Sequence, residues 1–222
     1  TPAVEAQVGL RHQLSGSTDR GRKPVDGILL THAHIGHYLG LAHFGREVAS
    51  TRGTPVHVSP RFATFLRSHG PWRQLDQLGQ IQLTEFAMRT PFAPLPGLEV
   101  TAIPVPHRDE FSDTVAYRIR GPNQTVLFVP DIDRWAVAGE LLGELLDDAD
   151  IAYLDGTFYD GRELPERIRA EIPHPPIVDT MRRLQARARR SPGSIRFLHL
   201  NHTNPALWDD GLRAEIRARG FG

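Results

Sequence analysis

The stretch "GILLTHAHIGHYLGL", residues 27–41, puts three histidines, His32, His34 and His37, inside six positions directly after an apolar run. Extended backbone projects residues two apart to the same side, so a strand running into His32-Ala33-His34 presents two imidazoles together. Gly36 and the start of a helix then turn His37 toward the same cavity, within reach of a neighbouring ion. Imidazole is a donor suited to zinc, iron or manganese. A histidine that merely follows a strand is ordinarily a surface or hydrogen-bonded residue, and His12, His43, His57 and His69 are read that way.

Apolar periodicity divides the rest of the chain into interleaved strands and helices. Strands are expected at Val25–Leu30, Pro55–Ser59, Ile81–Phe86, Leu98–Val105, Thr114–Arg120, Thr125–Val129, Ile151–Leu154 and Ile195–Leu200. Helices are expected at Tyr38–Ser50, with Leu41, Phe44 and Val48 on its inner face, and at Pro60–His69, Arg134–Leu146, Ile177–Arg189 and Gly211–Arg219. This alternation is the mark of a mixed α/β fold with helices covering sheets. Five strands end in residues of ligand type: His32 and His34, His107, Asp131 and Asp133, Asp155, and lastly His199, Asn201 and His202. Loops at strand ends, held by a rigid scaffold, are where α/β proteins build their sites. Asp131 and Asp133 also have a plainer reading, as caps for the helix that follows.

Composition removes several function classes. Among 222 residues there is no cysteine, which excludes disulfides, thiolate zinc sites and a cysteine nucleophile. Lys23 is the only lysine among the 26 basic residues and falls in a polar, turn-like stretch, Asp19–Pro24, which argues against lysine-based catalysis. The 26 acidic and 26 basic residues cancel, so no net field favours nucleic acid or an anionic membrane. The basic helix "MRRLQARARR" reads as a solvated face. No run approaches the roughly 18 apolar residues of a membrane span. A single domain over residues 1–222 is expected, in a soluble bacterial protein of the cytoplasm or periplasm.

The ordered segments resemble the metallo-β-lactamase superfamily. The H-x-H-x-D-H signature is matched by His32-Ala33-His34-Ile35-Gly36-His37, the lone histidine by His107 in "PVPHRDEFSDT", and the bridging aspartate by Asp131 in "FVPDID". The terminal histidine is matched by His199 or His202 in "LHLNHTNP". "THAHIGHYLGL", "YLDGTFYDG" and "FLHLNHTNP" are similar to the pyrroloquinoline quinone biosynthesis protein B branch, including the glycine where the superfamily has aspartate. The resemblance implies an αββα sandwich, with the start so near the signature that N-terminal strands of the first sheet are expected to be missing. It also implies one or two divalent ions, zinc first, with iron or manganese as alternatives. His32, His34 and His107 would hold one ion; His37, Asp131 and His199 or His202 would hold the second, with Asp131 bridging. Gly36 removes one carboxylate from that second set.

The reading that follows is a metal-dependent hydrolase in which an ion lowers the pKa of its water from 15.7 to about 7. The metal-bound hydroxide would act on an ester, phosphodiester or amide-type bond of a small molecule or peptide. Asp155 and His174 are candidates for an aspartate-oriented proton shuttle, or alternatively for loop capping and a rigid turn before Pro175. Asn201, Thr203 and Asn204 are expected to fix the terminal loop by local hydrogen bonds. A second reading is an iron-dependent oxygenase acting on a tyrosine-derived peptide in redox-cofactor biosynthesis. A third is a non-catalytic metal-binding homologue.

Overall fold

The computed structural model describes residues 2–15, 24–165 and 171–222. Most of the polar stretch 19–24, with Lys23, lies outside the described residues. The chain forms a mixed α/β fold with two sheets and groups into two compact units, Thr1–Pro96 with Arg108–Thr114, and Gly97–His107 with Val115–Gly222.

The first unit is built on a parallel sheet of β1 (Ile28–Leu29), β2 (Thr54–Val58) and β3 (Ile81–Glu85), in that order. Strand β3 alternates, with Ile81 and Leu83 buried and Gln82 and Thr84 exposed. Helix α3 (Pro60–Ser68) begins where Ser59 accepts the amide of Phe62 and Pro60 presets the first turn, and it buries Phe62, Ala63 and Leu66. Helix α4 (Gly70–Gln77), unforeseen in the sequence, buries Trp72 and Leu75. Helix α1 (Val4–Ser15) was also unforeseen, because its apolar residues follow no helical stripe and Leu10 and Leu14 are exposed.

The expected helix Tyr38–Ser50 does not form. A short helix α2 (Ile35–Tyr38) passes into 3₁₀ turns over Leu39–Phe44, and the backbone becomes extended at Gly45. Two glycines in that span, Gly40 and Gly45, cost an α-helix about 1 kcal/mol each relative to alanine. In a 3₁₀ turn residues three apart stack, so Leu41 and Phe44 are both buried while Val48 is exposed. The strand expected at Val25–Leu30 shrinks to two paired residues.

The second unit holds β4 (Glu99–Pro104), β5 (Val115–Arg120), β6 (Thr125–Val129), β7 (Ile151–Asp155) and β8 (Ile195–Leu198), in sequence order. The first three run antiparallel, and β6, β7 and β8 run parallel. Parallel neighbours need crossovers, supplied by α5 (Trp135–Leu146) and α6 (Ile177–Arg190). Helix α6 buries Ile177, Thr180, Met181, Leu184 and Ala188, a single 3.6-residue stripe, against Leu127, Val129, Leu154 and Ile195. Its arginines are partly spent locally: Arg182 and Arg183 pair with Asp179, and Arg187 donates to the carbonyls of Leu146 and Ala149 beyond α5. Helix α7 (Asp210–Ala218) is capped by Asp209, which accepts the amide of Leu212. No helix among the described residues is long and apolar enough to cross a membrane.

Candidate metal centre

In the first unit β1 leads to His34, whose extended backbone, φ −80° and ψ 136°, makes it the N-cap of α2. His32 and His34 face the same way. The Nε2 of His32 lies 3.0 Å from the Nδ1 of His34, and the His37 ring centroid lies 4.2 Å from that of His32. All three histidines of the signature are thus brought together. Tyr38 anchors them from behind, with its ring 5.8 Å from Phe62, 5.6 Å from Phe65 and 5.1 Å from Trp72. At Gly36 an added Cβ would meet nothing within 4 Å, so its lack of a carboxylate is not forced by crowding.

Segment 108–114 supports the triplet. Ser112 accepts the amide of Ala33 at 2.7 Å, and Glu110 Oε2 stands 3.2 Å from His34 Nε2. The Glu110 carboxyl is held below its ordinary range first by a backbone amide and then by the His34 ring. A carboxylate only accepts, so His34 Nε2 is the donor toward Glu110. Two nitrogens at about 2.0–2.1 Å from one tetrahedral zinc ion stand roughly 3.3 Å apart. The observed 3.0 Å suits a pair closing on one cation.

In the second unit the ends of β4, β6, β7 and β8 carry the remaining candidates. His107 has its side chain 1% exposed, and its Nδ1 lies 3.2 Å from Asp133 Oδ1. Asp133 is not the cap of α5: Arg134 occupies that position, and the Asp133 carboxylate turns to His107 instead. Asp131, Asp155 and His174 are buried, and one ligand atom from each lies within 4.8 Å of the others. Asp155 accepts from the amide of Ile132 at 3.1 Å, the amide of Thr157 at 2.9 Å and the Thr157 hydroxyl at 2.7 Å. Its Oδ2 is also 2.7 Å from His174 Nδ1. These four neighbours take up the acceptor sites of the carboxylate, one of them the His174 ring. It also caps its own loop through the Thr157 amide.

His199 takes a left-handed backbone, φ 63°, uncommon outside glycine. Its Nδ1 lies 2.8 Å from Thr157 Oγ1 and 3.5 Å from Asp131 Oδ1. His202 is exposed in the following turn. Asn201 and Asn204 tie that turn back, Asn201 through its amide to the Thr157 carbonyl and Asn204 through its side chain to the Gly156 carbonyl. Of the other histidines, His43 pairs with Glu5 and His69 with the Phe65 carbonyl. Glu110, Thr157 and Thr31, whose hydroxyl lies 3.1 Å from His32 Nδ1, were missed in the sequence. All three are adjuncts to a histidine, and no residue pattern marks them.

Comparison with known proteins places the chain. The family model of the beta-lactamase superfamily domain matches residues 3–196. Coenzyme PQQ synthesis protein B of Methylobacterium sp. (strain 4-46) is 27% identical over an alignment covering 100% of this chain and 74% of the relative. The crystal structure of Zn(2+)-bound PqqB from Methylobacterium extorquens superposes with a TM-score of 0.68 at 22% identity, covering 95% of this chain and 76% of that one. A diphosphatase of the PhnP family shares the fold, with a TM-score of 0.61 at 16% identity over 100% of this chain and 72% of that one. So does the β-hydroxylase CmlA, at 0.54 and 17% over 89% and 42%. A family match over most of the length, with histidines and carboxylates at the strand ends where the signature expects them, makes this chain a PqqB-like member of the metallo-β-lactamase-fold superfamily.

Proposed function

We propose that the protein is a metal-dependent hydrolase whose metal donors would be, as the family signature implies, His32, His34, His37, His107, Asp131 and His199. The observation that carries this reading is the His32–His34 pair, whose nitrogens stand 3.0 Å apart with the outer nitrogen of His34 on a carboxylate. At that separation one proton is shared between the two nitrogens, and a cation taking its place would draw on both rings. A divalent ion would supply Lewis acidity and an acidified water at neutral pH.

The remaining work falls to the chain's own residues. Glu110 and Asp133 fix which ring nitrogen His34 and His107 present, as outer-shell carboxylates do for metal-binding histidines. Asp155 holds the proton of His174 on Nδ1, which leaves Nε2 to accept a proton from a nucleophile or return one to a leaving group. His199 rather than His202 is the terminal donor, because a ligand atom of His199 lies within 4.8 Å of one from Asp131, whereas His202 is exposed. The scissile bond is an ester, phosphodiester or amide-type bond of a small molecule or peptide.

A second reading has its own support. The curated relative is named for coenzyme PQQ synthesis, and a β-hydroxylase shares the fold. An iron-dependent oxygenase on a tyrosine-derived peptide fits a histidine-rich set that lacks the Gly36 carboxylate. Metal identity separates the two. Elemental analysis of purified protein, with trials on a phosphodiester, a lactone and a peptide, should find zinc or manganese with hydrolysis. Ferrous iron with oxygen consumption would instead establish the oxygenase. His34→Ala should lose metal and activity together, and retention of stoichiometric metal by the folded variant would overturn the ligand set.

A further inference from the structure

We infer that Thr157 is a positioning residue that sets the tautomer of His199, so that His199 offers Nε2, not Nδ1, to the metal; this rests on the hydrolase or oxygenase site being a metal site. The argument is a count of hydrogens. The Thr157 hydroxyl has one proton and two close partners, Asp155 Oδ1 at 2.7 Å and His199 Nδ1 at 2.8 Å. Asp155 is fully buried and receives two backbone amides, from Ile132 and Thr157, which are donors in every protonation state. A carboxylate only accepts. The hydroxyl proton therefore goes to Asp155 Oδ1, and the hydroxyl oxygen can only accept from His199. Nδ1 of His199 carries the proton.

The two other groups near this point agree. His174 Nδ1 lies 2.7 Å from Asp155 Oδ2 and gives its proton there, so it does not compete for the Thr157 hydroxyl at 3.2 Å. Asp131 Oδ1, 3.5 Å from His199 Nδ1, also favours a proton on that nitrogen. A neutral imidazole with its proton on Nδ1 has its lone pair on Nε2. Asp155 thus orients two histidines, His174 directly and His199 through one threonine hydroxyl.

The geometry is held by backbone. The Gly156 amide donates to the Leu198 carbonyl at 2.9 Å and the Asn201 amide to the Thr157 carbonyl at 3.0 Å, bracketing His199 on both sides. A serine at position 157 keeps the hydroxyl. A valine keeps the shape but removes both the proton for Asp155 and the acceptor for His199.

The test reads the ring nitrogens of the metal-free, ¹⁵N-labelled protein at pH about 8, where an ordinary histidine is neutral. The wild type and Thr157→Ser should show His199 protonated on Nδ1, whereas Thr157→Val should show a mixture. Zinc affinity, measured by competition with a chromophoric chelator, should fall roughly 10- to 100-fold in Thr157→Val and stay within about threefold of wild type in Thr157→Ser. A proton on Nε2 in the wild type would overturn the inference. So would a folded Thr157→Val protein with unchanged zinc affinity. Because the tautomer is read without metal, a wild type that takes up no zinc would refute the metal-site reading while the ring spectrum still decides the role of Thr157.

Discussion

His57 shows what a polar residue costs when nothing answers it. It is 6% exposed in β2, neither ring nitrogen has a hydrogen-bond partner among the described residues, and its ring stacks on Phe92 at 5.2 Å. Burial pushes its pKa below the ordinary histidine value of 6.5. Below that pH the unfolded chain binds a proton that the folded chain resists, so stability is lost as pH falls through 6.5 toward the lowered folded value. Metal-free His57→Leu protein should therefore show a flatter fall of Tm between neutral pH and pH about 5 than the wild type. Equal slopes would show that His57 is not desolvated. Legibility at this scale was uneven. His32, His34, His37, His107, Asp131 and Asp155 announced themselves by type and by their place after a strand. Glu110, Thr31 and Thr157 did not, because their role depends on one atom reaching one ring, and serine, threonine or glutamate at a loop is otherwise ordinary. Asp133 illustrates the same point: it stands where a cap is expected, yet its carboxylate serves His107.

Elements were legible where burial followed a period. The spacing of Ile177, Met181, Leu184 and Ala188 called for a helix, and Pro60 after Ser59 marked the start of another. The Tyr38–Ser50 helix failed because two glycines, Gly40 and Gly45, left 3₁₀ turns able to bury Leu41 and Phe44 at lower cost. Helix α1 gave no apolar stripe to read. The junction of β7 with β8 was legible only in the structure: at Gly156 an added Cβ would stand 2.9 Å from Phe197 Cβ and 3.0 Å from the Leu198 carbonyl. Strand β8 must give way to admit a side chain there. Gly156→Val should destabilise the protein by about 1–3 kcal/mol, the usual cost of overpacking, and should weaken zinc binding by shifting Thr157 and His199 at the ends of the two strands. Urea unfolding beside chelator competition checks both. Full stability with full affinity would mean that the strands part freely.

At the scale of the whole molecule, a ligand that binds only the folded state raises stability by mass action, by about 2.7 kcal/mol at a hundred times its Kd. For a chain of this size that corresponds to a Tm rise of roughly 5–10 °C. Chelation should lower the wild-type Tm by about that amount and leave His34→Ala unchanged, as scanning calorimetry would show. The shift should shrink as the pH is lowered, because only neutral imidazole binds metal. A chelator-insensitive wild type would sink the metal reading. The sequence by itself determined the fold class, the order of strands carrying ligand-type residues, and the superfamily, because apolar period and residue spacing are local properties written directly in the chain. Tertiary structure alone decided which partner each ring nitrogen meets, that four donors surround Asp155, and that His199 and not His202 faces Asp131. Those outcomes turn on hydrogen bonds between residues up to 76 positions apart, as between His34 and Glu110, and such bonds exist only once folding has set the distances.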